Sequence, residues 1–177
     1  MNLDIFKKLV EDLGPTLEHD EDWMPTLFMQ DALSPENQSG KRVIIIAGLC
    51  MDLNTQEQKD KVAEAIKAII ITSDPSSACF IVTAWTTRHE GDMSKIDSGI
   101  LRVSESPHKE EAVVCVCVGG RGELDGETIM IGRIERSSGS PKIKSWDIMS
   151  GEEGVEFGGR FYDALQEAFT TITENKT

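Results

Sequence analysis

Three runs of the chain are apolar at nearly every position, so an extended strand built from any of them is apolar on both faces. The runs cover residues 43–49, 79–85 and 112–118. Strands with this pattern are typical of the middle of a sheet that other elements cover above and below. We therefore predict that all three are central strands of one sheet.

Two further segments repeat apolar residues every three or four positions, which is the period of an amphipathic helix. They cover residues 1–14 at the start of the chain and residues 160–172 near its end. The pair Gly14-Pro15 closes the first segment and is a typical helix stop. The pattern predicts a helix near each end of the chain that packs on the sheet.

A third helix is predicted between the first two apolar strands. Thr55 and Gln58 have the spacing of a capping box, in which each side chain bonds the backbone N–H of the other residue. A strand, a helix and a strand in this order are typical of a right-handed βαβ crossover, which joins two parallel strands. The sequence thus predicts that strands 43–49 and 79–85 are parallel.

The remaining strands are less apolar. Residues 25–31 fit either a strand or a helix, and we favour a strand after Pro25, since proline is tolerated at a strand start. Residues 128–135 and 143–148 follow the strand at 112–118, each after a turn-rich segment. This succession predicts an antiparallel meander.

Together the elements predict an α/β fold of the α+β kind. The sheet is mixed, has about five or six strands, contains one βαβ crossover and is packed by the N-terminal and C-terminal helices. No internal repeat or linker divides the chain, and its length of 177 residues suits one domain. We predict a single domain over residues 1–177, with the sheet core at residues 25–150.

The balance of charge argues against two classes of partner. The chain has 31 Asp and Glu against 18 Lys and Arg, a formal net charge of −13. Binding to phosphate backbones needs clustered Lys and Arg, and the longest basic runs here are pairs of residues. We therefore expect neither general nucleic-acid binding nor binding to membranes.

The sequence also lacks signals of export. Its first residues show no charged segment followed by an apolar one, and no apolar run approaches the roughly 20 residues of a membrane helix. All four cysteines lie in apolar runs without the C-x-x-C spacing of metal or redox motifs: Cys50, Cys79, Cys115 and Cys117. We expect an acidic, soluble, cytoplasmic protein whose cysteines are reduced and packed in the core.

Residues 87–110 form a polar segment with no usable apolar period. Loops of this length in compact domains are usually functional or mobile. The side chains in this loop that are best suited to binding are Arg88, His89, Glu105 and His108. We predict that the loop carries the function specific to this protein.

A divalent metal is one ligand that suits this loop, although the sequence requires no cofactor. His89 and His108 flank the loop where it leaves one strand and enters the next. If those strands are neighbours, both imidazoles can meet Glu90 or Glu110 at one metal ion. The spacing matches no recognised ligand pattern such as H-E-x-x-H, and a solvated loop is the alternative.

A second candidate site lies at the ends of the two strands of the predicted crossover. Asp52 follows the first strand and Trp85 ends the second. Ligands of open α/β sheets bind outside the carboxyl ends of parallel strands. We predict a ligand rim formed by Asp52 and Trp85, together with Arg88 and His89. The alternative is that Trp85 is a core residue and the other three are solvated, with Asp52 only capping the helix region.

Part of the sequence resembles a known group of proteins. A strand that ends in Ala84-Trp85 is followed by the polar loop, the motif Pro-His-x-x-Glu at residues 107–111 and the meander. This order, over residues 40–148, resembles a group of uncharacterised bacterial and phage proteins. The resemblance implies the same fold and supplies no activity or site.

The sequence leaves the biochemical function unknown and supports three hypotheses. The first is an accessory or protein-interaction protein, linked to phage or mobile elements, that binds another protein or itself. The alternatives are a small-molecule binding module and a metal-assisted hydrolase that uses loop 87–110. An interaction protein should show an exposed apolar patch or an oligomer, a binding module an enclosed apolar pocket, and an enzyme a convergent titratable cluster.

Overall fold

The computed structural model describes residues 3–18, 21–30, 44–49, 53, 55–86, 109–120, 125–136, 139–151 and 159–176. Within these residues the chain forms three α-helices, one short 3-10 helix and six strands. In chain order they are α1 (Leu3–Leu13), the 3-10 helix (Gly14–Thr16), β1 (Thr26–Gln30), β2 (Ile44–Gly48), α2 (Gln56–Ser73), β3 (Ser77–Thr86), β4 (Glu110–Gly120), β5 (Asp125–Glu135), β6 (Lys142–Ser150) and α3 (Arg160–Glu174).

The six strands form one sheet in the order β2-β1-β3-β4-β5-β6. Every neighbouring pair of strands is antiparallel. Strands β4, β5 and β6 follow one another in sequence and in space, so the predicted meander and the α+β class are confirmed. The predicted mixture of parallel and antiparallel pairs is wrong for the described part of the sheet.

The predicted βαβ crossover is not confirmed. β2 and β3 run in the same direction, but β1 lies between them and pairs with both. Helix α2 therefore joins two strands that are not neighbours. The order strand–helix–strand is a local feature of the sequence, whereas the position of β1 depends on contacts with residues far along the chain.

The prediction of three central strands is confirmed for two of them. β3 and β4 each have a strand on both sides, while β2 is an edge strand among the described residues. Apolar residues on both faces of a strand indicate that other elements pack above and below it. They contain no information on the number of hydrogen-bonded neighbours, so the central position of residues 43–49 was predicted wrongly.

The local predictions are confirmed. The two terminal helices are α1 and α3, and the segment after Pro25 is strand β1, whose five residues are all buried. The capping box begins α2: Gln58 N donates to Thr55 Oγ1 at 3.1 Å, and Thr55 N donates to Gln58 Oε1 at 2.9 Å. These two bonds satisfy backbone donors that the helix itself leaves without an acceptor.

Helices cover both faces of the sheet. α2 and α3 pack against each other on one face, which we call the α2/α3 face, and α1 packs on the other, the α1 face. Ring contact between Phe6 and Phe28, with centroids 5.1 Å apart, fixes α1 on β1. The described helices include none that is long and apolar enough to cross a membrane.

The prediction that all four cysteines are reduced is wrong for two of them. Cys79 on β3 and Cys117 on β4 lie directly opposite each other and form a disulfide, with their Cα atoms 4.0 Å apart. Cys115 is a buried free thiol on the same face, and Cys50 lies outside the described residues. The spacing of cysteines along the sequence could not show this pairing, because it depends on the register of β3 against β4.

Candidate functional site

Most of the predicted site residues lie outside the described residues: Asp52, Arg88, His89, Glu90, Glu105 and His108. The structure does describe the base of the loop that carries five of them. Thr86 and Glu110 lie opposite each other on β3 and β4, and Thr86 Oγ1 donates to the Glu110 carbonyl at 3.3 Å. The two strands are therefore neighbours, as the metal hypothesis requires, while the imidazole ligands stay a prediction.

Glu110 already has a cationic partner. On the α2/α3 face, Arg133 of β5 forms ion pairs with Glu110 of β4 and with Asp147 of β6, the latter at 3.0 Å. A guanidinium stays charged at every ordinary pH. A metal ion at Glu110 would therefore have to compete with Arg133, which argues against Glu110 as a ligand.

Trp85 lies on the α1 face at the end of β3, and 49% of it is exposed. The Lys109 ammonium sits 4.8 Å from the centre of its ring. An exposed cation–π contact of this kind contributes about 0.5–1 kcal/mol. Trp85 is thus outside both buried clusters, and its membership of a ligand rim with Asp52 stays a prediction.

A charged cluster around Arg136 was not foreseen from the sequence. The Arg136 side chain binds both carboxylate oxygens of Glu111, and it also bonds Asp22 and the Glu21 carbonyl. Burial raises the pKa of Asp22, and the opposite charge of Arg136 offsets part of this effect. No local signal could have revealed the cluster, because its members come from three distant segments. Each carboxylate faces the cation, so the cluster joins segments of the fold.

Tyr162 forms a second unforeseen polar group on the α2/α3 face. Its hydroxyl donates to Glu127 and accepts from Gln166 Nε2 at 3.0 Å. Burial, followed by the hydrogen bond to Glu127, raises the pKa of Tyr162. A groove of about 300 Å³ lies beside Glu127 and Gln166, between α3 and the β4–β5 end of the sheet. It is open to solvent and is lined by polar as well as apolar side chains.

A larger groove of about 500 Å³ runs between α2 and α3. Lys67 and Glu167 form an ion pair at 2.5 Å within it, and Arg160 and Asp60 form another at 2.8 Å. Each helix contributes one cation and one carboxylate to these pairs. In the part of the chain that the structure describes, no three His, Cys, Asp or Glu side chains are grouped to hold a metal ion.

The outer strand β6 has two large apolar side chains in contact with solvent. Ile148 is 42% exposed and Met149 is 39% exposed. They are adjacent, so one projects from each face of the sheet. The two side chains therefore do not form one apolar patch, and each lies on a different face of the last described strand of the sheet.

The backbone of β6 alternates in direction, and the contact after its last residue fixes which groups point outward. Gly151 N donates to the Glu127 carbonyl at 2.9 Å, so this pair is hydrogen-bonded. In an antiparallel ladder, hydrogen-bonded and non-hydrogen-bonded pairs alternate. Trp146, Ile148 and Ser150 therefore direct their N–H and C=O groups away from β5, toward the side on which no described strand lies.

The two halves of β6 differ in how well they are protected from pairing with another strand. The first half has the exposed Lys142 and Lys144 and a bulge opposite Arg133 and Ile134. Lysines and bulges at a sheet edge prevent unwanted strand addition. The second half, residues 146–150, is regular and has a single charge, Asp147, which is paired with Arg133. We call residues 146–150 the open edge.

The chain matches no protein-family model, no curated protein and no solved structure. The resemblance to bacterial and phage proteins therefore stays a sequence-based expectation.

Proposed function

We propose that this protein is a protein-interaction protein that binds an extended polypeptide segment at the open edge, where the segment adds a strand to the sheet. One observation carries the proposal. The open edge directs the backbone groups of three residues away from the sheet and exposes Ile148 and Met149 beside them. An extended segment satisfies such groups with main-chain hydrogen bonds and gains specificity from alternate side chains.

Exposure of this edge to water costs free energy. Apolar surface removed from water contributes about 25 cal/mol per Å², and an added strand would cover Ile148 on one face and Met149 on the other. Unprotected edge strands also pair readily with other chains, which is why proteins usually place charges or bulges there. The first half of β6 has two exposed lysines and a bulge, whereas the open edge has no bulge and its single charge, Asp147, is paired with Arg133.

The alternatives find weaker support in the described geometry. Both grooves are open to solvent, and the one between α2 and α3 is lined mainly by polar groups. Small-molecule sites are usually enclosed and mainly apolar. The charged clusters at Arg133 and Arg136 pair each carboxylate with a guanidinium. Carboxylates paired in this way join segments of the fold, and none of them lines either of the two grooves.

Site-specific photo-crosslinking in cells tests the proposal. A photoreactive phenylalanine analogue at position 148 should form adducts that map to one extended segment of a protein chain. The matched control is position 13, because Leu13 is exposed to a similar degree, 39%, but lies at the end of a helix. Equal adduct yields at positions 148 and 13 would contradict strand addition at the open edge.

A proline variant tests the backbone part of the proposal. The N–H of Ile148 points outward, so Ile148→Pro removes a docking donor without removing a hydrogen bond to β5. With the photoreactive group at position 150, we expect Ile148→Pro to abolish the adducts and Ile148→Val to retain them. A far-ultraviolet circular dichroism spectrum unchanged from the parent shows that the proline variant is folded.

A further inference from the structure

We infer that the segment bound at the open edge is supplied by a second copy of this chain, which pairs its own β6 antiparallel to the first. This inference rests on the proposed function and names its partner. The two sheets then become one continuous sheet of two copies related by a twofold axis. Such twofold dimers are the commonest assemblies of identical chains.

The outward backbone groups are self-complementary in one register. When the twofold axis passes beside Ile148, Ile148 lies opposite Ile148 of the second copy, and Trp146 lies opposite its Ser150. These pairs use only residues whose N–H and C=O point outward. All three outward residues of each copy are then hydrogen-bonded.

Two neighbouring registers are less favourable. With the axis at Asp147, the two Asp147 carboxylates would face each other in a non-hydrogen-bonded pair, where side chains are closest and like charges repel. With the axis at Trp146, the bulge and Lys144 would enter the ladder. The register centred on Ile148 avoids both, because the paired stretch ends before the lysines.

The side chains fit the same register. The two Ile148 side chains meet on the α1 face, where each is exposed in the single chain. On the α2/α3 face, Met149 lies opposite Asp147 of the second copy, whose carboxylate is already paired with Arg133. Association therefore buries both exposed apolar side chains and leaves the ion pair between Asp147 and Arg133 intact.

Net charge opposes the same association. Each copy has a formal net charge of −13, and salt screens repulsion between exposed charges over a Debye length of about 10 Å at 0.1 M. The dimer should therefore strengthen as the salt concentration rises. A dimer held by ion pairs between the copies would weaken instead.

Cysteine crosslinking tests the register in the full chain. In a Cys50→Ser background, Ile148→Cys places two thiols in a hydrogen-bonded pair with Cα atoms about 5.5 Å apart, within the range a disulfide spans. Ser150→Cys is the matched control, because its two copies would lie about 14 Å apart, four residues along the strand. We expect a covalent dimer from mild oxidation of Ile148→Cys and essentially none from Ser150→Cys or from the background.

Sedimentation of the unmodified protein gives the second readout. We expect a dimer whose dissociation constant falls with added salt, and loss of the dimer in Met149→Lys but not in Leu13→Lys. A monomer in sedimentation together with no crosslink in Ile148→Cys overturns the second-copy inference. If photo-crosslinks at position 148 then map to a different protein, the proposed function stands without it. If photo-crosslinking at position 148 also gives no adducts above the control, the second-copy inference and the proposed function are both overturned.

Discussion

Arg136 and Glu111 form a two-pronged ion pair, in which Nε and Nη2 of the guanidinium bind the two carboxylate oxygens at 2.8 Å and 2.7 Å. The same guanidinium bonds Asp22 and the Glu21 carbonyl, each at 2.7 Å. It therefore joins the segment before β1 to the adjacent ends of β4 and β5. Arginine is the only side chain whose planar, forked guanidinium can make all of these bonds together.

Arg136→Lys should destabilise the fold, because an ammonium cannot bind both carboxylate oxygens and the two other acceptors at once. We expect the free energy of unfolding, measured by urea denaturation, to fall by about 1–3 kcal/mol, as for other hydrogen bonds to charged groups. Arg133→Lys is the control, because the Arg133 ion pairs are more exposed and such pairs contribute about 0–1 kcal/mol. Equal losses in the two variants would show that the Arg136 cluster has no special role.

Tyr162 is the single tyrosine of the chain, so the tyrosinate absorbance band reports its ionisation alone. Burial and the hydrogen bond to Glu127 raise its pKa above the ordinary value of 10.0. We expect the titration midpoint of the folded protein to lie above that of the chain unfolded in urea. Because the folded pKa is the higher one, the stability gained from the neutral hydroxyl is present below pH 10.0 and is lost as the pH rises through the folded pKa.

The variant Glu127→Gln tests the cause of that shift. It removes a charged acceptor beside the hydroxyl, so the midpoint should move toward that of the unfolded chain. The part of the shift that comes from burial should stay. If the midpoint is the same in the folded and unfolded parent, the hydroxyl is more solvated than the structure shows.

The disulfide between Cys79 and Cys117 closes a loop with a sequence separation of 38 residues. In the chain-entropy relation, a loop of that size contributes about 4 kcal/mol by constraining the unfolded chain. We expect dithiothreitol to lower the melting temperature of the parent, with reduction confirmed by intact mass. The double variant Cys79→Ala, Cys117→Ala should melt lower and be insensitive to the reductant. A fully reduced parent that melts at the oxidised temperature would contradict this contribution.

Gly132 on β5 lies beneath the ring of Trp146 on β6. A Cβ atom at position 132 would lie 2.8 Å from that ring and 3.1 Å from the Ile143 side chain. Gly132→Ala should therefore force the ring or the strand to shift and lower the free energy of unfolding by about 1–3 kcal/mol.

Gly48→Ala is the matched control for that prediction. Among the described residues its new Cβ would meet the Met24 sulfur alone, at 3.7 Å, which is an ordinary contact. We expect this variant to unfold within about 0.5 kcal/mol of the parent, as is usual for surface substitutions. A loss in Gly48→Ala equal to that in Gly132→Ala would mean that any methyl group added to a strand glycine has this cost, and that the Trp146 ring is not its cause.

The sequence by itself determined the elements whose stabilising contacts are local. The capping box of Thr55 and Gln58, the strand after Pro25 and the two terminal helices depend on residues within a few positions of one another. The order of β4, β5 and β6 was also accessible, because short turns leave little choice except antiparallel neighbours. The single domain over residues 1–177, the cytoplasmic location and the role of loop 87–110 stay predictions.

Only the tertiary structure decided which distant residues meet. The insertion of β1 between β2 and β3 puts β2, which was predicted at the centre, at an edge of the described sheet. The same long-range register placed Cys79 opposite Cys117 and brought Arg136 to Glu111. The open edge could not be predicted from the sequence either. The apolar pattern of a strand indicates what covers its two faces, whereas exposure of its backbone depends on whether another strand lies beside it.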